Sequence, residues 1–380
     1  MNSKIIFPLL LCVSLLIGCS EDTIVKNNTS ASVNTPYVNL NLSSTLISST
    51  LPARNGAEII TFKGEYWFMG GEEPFLRSNN TYFNDIWKSN DGVNWTKVID
   101  NAPWQGRSDF NLLTFNNKLW IIGGKNNNND ITEWLNDIWQ SDDGINWTQV
   151  AKHGPWETRE SMSVSVHNNK MYLIGGHSLT NWHLYQDIWE SSNGKNWTKV
   201  GSISDALLGT ESSRQGIQEH TIIKLNNEYY LIAGQLASIF TAHTRVLKSK
   251  DMINWSVATI NTPWKNYKYN NLGDLRPFIY KGNLVVVVNT GLIKIANTGD
   301  VKKDYLPAKQ LIYSSKDGVN WEEKAELDKL PNVNGQLSLH MLKPRVLHVN
   351  NEIYLYGSYR ASIVNKKLDT ETHIYKITNN

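Results

Sequence analysis

Short apolar runs recur along the chain, each followed by a long polar stretch. Leu119-Trp120-Ile121-Ile122 closes on Gly123-Gly124, and after a polar gap a second run, Asn136-Asp137-Ile138-Trp139-Gln140-Ser141, leads into the turn Asp142-Asp143-Gly144-Ile145-Asn146-Trp147. The same order of features stands before it at Trp67 to Gly71, Asn84 to Trp87 and Asp91 to Trp95. It stands after it at Tyr172 to Gly176, Gln186 to Trp189 and Gly194 to Trp197. Runs this short, bounded by Gly and Asn, read as strands, four to a unit. A repeat of about fifty residues with four strands per unit predicts a β-propeller.

Three looser units follow. The fourth carries Tyr229 to Gly234 and Asp251 to Trp255, the fifth Leu284 to Val288 and Asp317 to Trp321, and the sixth Ile353 to Gly357 and Thr372 to Lys376. The prediction is therefore all-β, a six-bladed propeller without a helix longer than two turns. The sixth unit stops one strand short. An unpaired edge is a liability, so residues 39–50 are expected to supply the missing outer strand and close the ring from the N-terminal side.

Loop lengths distinguish the two faces. The turns between first and second strands are tight, as at Lys63-Gly64, Asn116-Asn117 and Asn168-Asn169, and those between third and fourth strands are the short Asp-Gly type. The opposite face receives the long loops 72–83, 125–135, 177–185, 235–243 and 292–308 and the links between blades. Binding residues concentrate on long loops held by a rigid scaffold.

The double glycine and the Trp after the following strand resemble the kelch repeat. The Ser89-to-Trp95 turn also looks like a shortened Asp-box of sialidase-type propellers. The resemblance covers about residues 40–380. It implies a kelch-type propeller, and exported bacterial kelch-like proteins include sialic-acid mutarotases, sugar oxidases and lipoproteins. A sialidase's catalytic pattern finds no residue-by-residue match here.

Composition adds location. Lys4, the apolar run Ile5 to Ile17, and Leu16-Ile17-Gly18-Cys19 form a signal segment too short to span a membrane. They are similar to a lipoprotein signal, which implies removal of residues 1–18, lipidation of Cys19 and anchoring in the outer membrane, facing the surface or the periplasm. Residues 19–38 read as a polar tether and 39–380 as the propeller. The net charge of +2 includes Lys4, so the exported chain is near neutral and offers no basic stripe for nucleic acid. Cys12 and Cys19 are the two cysteines. The propeller therefore has no disulfide, no thiolate metal site, and no Cys–Tyr crosslink of the galactose-oxidase type. The histidines show no HExxH or close pair, and no phosphate-cradling glycine loop occurs. No metal or cofactor is expected, and no motif bears on oligomeric state.

Aligning the innermost strands on their tight turns gives three polar columns. Nine residues before the turn stand Arg54, Arg107 and Arg159; seven before, Asp109, Glu219 and Asp274; five before, Glu58, Asn111, Ser163, Thr221, Arg276 and Arg345. Alternation puts positions two apart on one strand face, so Arg54, Arg107, Arg159, Arg276 and Arg345 are expected to ring the channel mouth with Glu58, Asp109, Glu219 and Asp274. Such a ring suits a carboxylate-bearing sugar, with Arg as the grip and carboxylates as acid and base, or else it pairs neighbouring blades. His220 reads either as a general base beside Glu219 or as a repeat-position histidine.

The long-loop face is also aromatic. Trp134, Trp182 and Tyr185 are expected to offer flat faces to sugar C–H groups. Trp104, Trp156 and Trp264, each after Pro, either do the same or plug the joints between blades. Trp87, Trp95, Trp139, Trp147, Trp189, Trp197, Trp255 and Trp321 recur at repeat positions and read as structural. The expected function is glycan binding, including acidic sugars. The alternatives are an enzyme on an acidic sugar (mutarotase, glycoside hydrolase or polysaccharide lyase) and a protein-interaction scaffold.

Overall fold

The computed structural model describes residues 39–73, 81–128, 131–178, 183–209, 216–232, 235–236, 241–242, 245–266, 276–289, 293–294, 305–306, 309–327, 341–359 and 372–379. They form six four-stranded antiparallel sheets, the blades of a propeller. Blade two is representative, running Asn111–Phe115, Lys118–Asn128, Ile131–Ser141 and Trp147–Ala151 from the channel outward. Innermost strands of neighbouring blades lie side by side, including that of blade six, Met341–Val349, against that of blade one, Glu58–Phe62. Among the described residues the helices are one short turn each, Asp205–Leu208 and the 3-10 turn Pro263–Asn266.

The ring closes as expected. Leu42–Ser48 pairs antiparallel with Thr372–Asn379 through seven consecutive partners, from Leu42 opposite Asn379 to Ser48 opposite His373. Leu40 and Leu42 are buried against Tyr375 and Ile377. The first strand of the propeller thus completes the last blade as its fourth, outermost strand.

The core lies between blades. One cluster joins Phe62, Trp67 and Met69 of blade one to Phe110, Leu119 and Trp147 of blade two, and five more repeat that arrangement around the ring. Trp104, Trp156 and Trp264 sit in three of these clusters almost wholly buried. They meet Trp147, Trp197 and Trp321 edge to face at 6.2, 5.0 and 5.1 Å. The Pro-Trp pairs plug the joints, which decides between the two readings of them.

The Asp-Gly turns are built by local hydrogen bonds. Asp91 Oδ1 accepts from Val93 N and Asn94 N, both at 2.8 Å. Ser89 Oγ accepts from Gly92 N at 2.9 Å, and the Trp95 indole donates to Gly92 O at 3.1 Å. This turn also joins blades: Gly194 has φ +75, and a Cβ there would come within 2.3 Å of the Trp120 ring of the preceding blade. Glycine is needed at that contact for its backbone and for its missing side chain.

Candidate functional site at the channel mouth

The three polar columns do not form one ring. Arg107 is fully buried and holds Asp137 through two parallel bonds, Nη1 to Oδ1 at 2.7 Å and Nη2 to Oδ2 at 2.9 Å. Its Nη1 also donates to Gly123 O at 2.9 Å and its Nε to Gln105 O at 3.1 Å. Arg159 repeats this with Asp187, Gly175 O and Glu157 O, and its guanidinium lies 3.6 Å from the Tyr185 ring centre. Arg54 pairs bidentately with Asp85, donates to Gly70 O, and lies 3.7 Å from the centre of the Phe83 ring. The expectation that these three arginines face the channel mouth is thereby corrected. Each fastens its own blade by tying the approach to the innermost strand to the glycine turn and the third strand.

The column five residues before the turn does reach the channel. Glu58, Asn111, Ser163, Thr221, Arg276 and Arg345 line one cavity of about 190 Å³, with Asp109, Ser161, Glu219 and His220 among its other walls. It lies where the innermost strands begin, on the face of the long loops. Several of these side chains also tie neighbouring blades. Asn111 donates to Met162 O at 3.0 Å and accepts from Val164 N at 2.9 Å. Ser163 Oγ donates to His220 O at 2.5 Å, and Arg276 reaches Glu219 O at 3.5 Å. Arg345 Nη2 lies 2.8 Å from Glu58 Oε1, which joins blade six to blade one.

Charge is unevenly spread over this cavity. Burial pushes the Glu58 carboxyl up, although Arg345 and Arg276 pull the other way. Burial, and then repulsion from Arg345, lower Arg276. Glu58, Glu219 and Asp109 pull the other way, so the two arginines share a poorly hydrated wall with carboxylates that offset them in part.

Sequence reasoning missed a second group beside this cavity. Lys125 Nζ stands 3.2 Å from Asp109 Oδ2, 3.2 Å from Glu160 Oε2 and 3.6 Å from Glu72 Oε1, carboxylates from three different blades. His177 Nδ1 lies 3.5 Å from Glu160 Oε1. Desolvation opposes the lysine charge, but the three carboxylates outweigh it and raise Lys125 well above the usual lysine range. The signal was present in the repeat. Glu72, Lys125 and His177 each directly follow a double glycine, and each forms a bridge to the innermost strand's approach at Asn55, Ser108 and Glu160.

The backbone at the mouth is unusual in the same place. Asp109, Ser161 and Glu219 have φ of 52, 55 and 55, in the column where blade one has Gly56 at 62. They are chained around the channel: Asp109 N donates to Gly56 O at 3.0 Å, Ser161 N to Asp109 O at 3.3 Å and Glu219 N to Ser161 O at 2.8 Å. Left-handed non-glycine residues cost roughly 1–2 kcal/mol each, and such strain concentrates at functional sites.

Of the three expected platform aromatics, one is placed differently. Tyr185 is buried against Arg159 and against His183, 4.6 Å between ring centres. It therefore offers no open face, which corrects that expectation. Trp134 is half-buried, opposite Lys125 on the ladder of blade two. Trp182, Asp274 and Cys19 lie outside the described residues.

No family model matches the chain, and no curated protein matches it. A solved structure described as "Structure of YjhT" is similar, with a TM-score of 0.57 and 14% sequence identity. The match covers 86% of this chain and 99% of that one. At that identity the likeness speaks for the propeller fold alone.

Proposed function

We propose that the protein is an exported, lipid-anchored kelch-type propeller that binds a small acidic sugar in the cavity at its channel mouth. The observation that carries this reading is the pair of guanidinium groups, Arg276 and Arg345, on one wall of a cavity whose other walls include Asp109 and Glu219. A sugar acid matches both: its carboxylate accepts from arginine, and its hydroxyls donate to carboxylates. Arg54, Arg107 and Arg159 have no part in this version of the site, since they are held by their own aspartates and are not on the cavity wall, whereas Arg345, although paired with Glu58 at 2.8 Å, is on that wall. The test is calorimetric titration with glucuronate, N-acetylneuraminate and glucose. Arg276→Gln and Arg345→Gln should each weaken the two acids by roughly tenfold or more, since a charge-assisted hydrogen bond contributes about 1.5–3 kcal/mol. Equal affinity for glucose and the acids, or no binding of either acid, would sink the reading.

One observation favours turnover as a second reading. The Glu58 carboxyl, raised by burial, and the Asp109 carboxyl face the same cavity in different surroundings. Such pairs divide into proton donor and proton acceptor, as an enzyme on an acidic sugar requires. Faster interconversion of glucuronate anomers, followed by NMR and abolished in Glu58→Gln, would establish it. An unchanged rate would leave binding as the function.

A further inference from the structure

Lys125 is absent from the cavity wall, yet it is fixed more firmly than a solvent-facing lysine needs to be. Its own N–H and C=O exchange hydrogen bonds with Ser108, both at 2.9 Å. Its ammonium is then surrounded by Glu72, Asp109 and Glu160. Three carboxylates from three blades thus converge on one ammonium, and His177 stands beside one of them, Glu160. Asp109 is the member that belongs to both groups. Its Oδ2 meets Lys125, it forms part of the cavity wall, and its left-handed backbone at φ 52 aims it there. A carboxylate has about four lone-pair sites, more than contact with the Lys125 ammonium occupies.

Blade two lies across the six-membered ring from blade five. Asp109 and Arg276 thus line the same cavity from opposite blades. An acid's carboxylate would meet the arginines while its hydroxyl donors meet Asp109. The cavity, of about 190 Å³, has room for a sugar ring.

We infer that Lys125 is a positioning residue: it holds the Asp109 carboxylate on the cavity wall, so that a sugar acid is recognised by its hydroxyls as much as by its carboxylate. This rests on the acidic-sugar reading of the cavity and adds the residue that reads the hydroxyls. The experiment compares glucuronate with cyclohexanecarboxylate, a ring acid without hydroxyls, by calorimetry on the full chain. The native protein should bind glucuronate the more tightly, by about tenfold or more, the value of one hydrogen bond to a charged group. Lys125→Met should erase most of that ratio, and Lys125→Arg should restore it. A merely structural lysine would weaken both acids alike and leave the ratio unchanged. Should Lys125→Met fail to fold, Asp109→Asn, which keeps the shape, should reduce the ratio in the same way. A ratio untouched by these variants, or a native protein that binds both acids equally, overturns the inference and leaves the arginine site standing. Binding of neither acid overturns both.

Discussion

Replacing Arg107 by methionine separates a fastening role from a ligand role. The side chain is fully buried and makes four hydrogen bonds, two of them to Asp137, whose side chain is 13% exposed. Methionine fills much of the space but leaves Asp137 as a poorly solvated charge and Gly123 O without its donor. Breaking a buried pair from one side costs about 3–5 kcal/mol. The unfolding entropy is roughly 2.1 cal/mol/K per residue, so about 340 residues give about 0.7 kcal/mol/K, and the melting midpoint should fall by about 4–7 °C. Scanning calorimetry measures the shift. Arg107→Met with Asp137→Leu should recover most of it, because an apolar replacement of the whole pair is often neutral. Glucuronate affinity should change little in either variant. An unmoved midpoint, or a large loss of affinity at an unmoved midpoint, would refute the fastening role and return Arg107 to the ligand.

Deleting residues 39–50 should lower the midpoint by several degrees, since it removes a seven-residue ladder and takes the buried Leu40 and Leu42 out of a core that includes Tyr375 and Ile377, worth about 1.5–3 kcal/mol per buried side chain; an unchanged midpoint would count against closure by that strand. Gly56→Ala should destabilise by about 1–2 kcal/mol, because φ is +62 and a Cβ would stand 2.8 Å from Ser108 Cβ and 2.9 Å from Asp109 N; chemical denaturation checks it. Burial opposes ionisation of Asp91 and Asp251, but hydrogen bonds from Asn94 and Asn254 and their neighbours prevail and hold both near 2. Their folded values lie below the unfolded ~3.9, so the stability they add is complete above pH 4 and lost as pH falls toward 2. The midpoint should decline over that window, and less so in Asp91→Asn, since Asn193 makes the same turn in blade three. Cys19→Ser should release the protein from the membrane fraction, and unchanged partition would defeat the lipid anchor.

The fold was legible because the repeat is regular where packing is strict: short apolar strands, tight turns, and, at Gly92, Gly144, Gly194 and Gly318, a glycine against an aromatic of the preceding blade. The column five residues before the turn was legible for the same reason, since those residues lie within or against regular strand and alternate as strands do. The column nine before the turn was not. Between Arg107 and Asn111 the chain passes through Asp109 at φ 52, and a left-handed residue breaks the two-residue alternation on which the argument depended. Parity therefore does not carry from Asn111 back to Arg107, and the arginine turns away from the channel to Asp137. Gly56, in the same column of blade one, was the single hint that the position needs positive φ. A better signal was internal co-occurrence. Arg54, Arg107 and Arg159 stand in the blades that carry Asp85, Asp137 and Asp187 two residues before the repeat Trp. In blade four the arginine gives way to Ile217, and the aspartate position becomes Arg245, which turns to Ala206 O and Leu207 O instead. Two positions that change together from blade to blade touch each other, whereas a ligand grip has no reason to follow an aspartate on its own third strand. The cavity's column, by contrast, carries five residue types over six blades, Glu58, Asn111, Ser163, Thr221, Arg276 and Arg345, with arginine alone recurring. A repeat fold keeps its joints alike and lets its site diverge, so the irregular column is where recognition is to be sought.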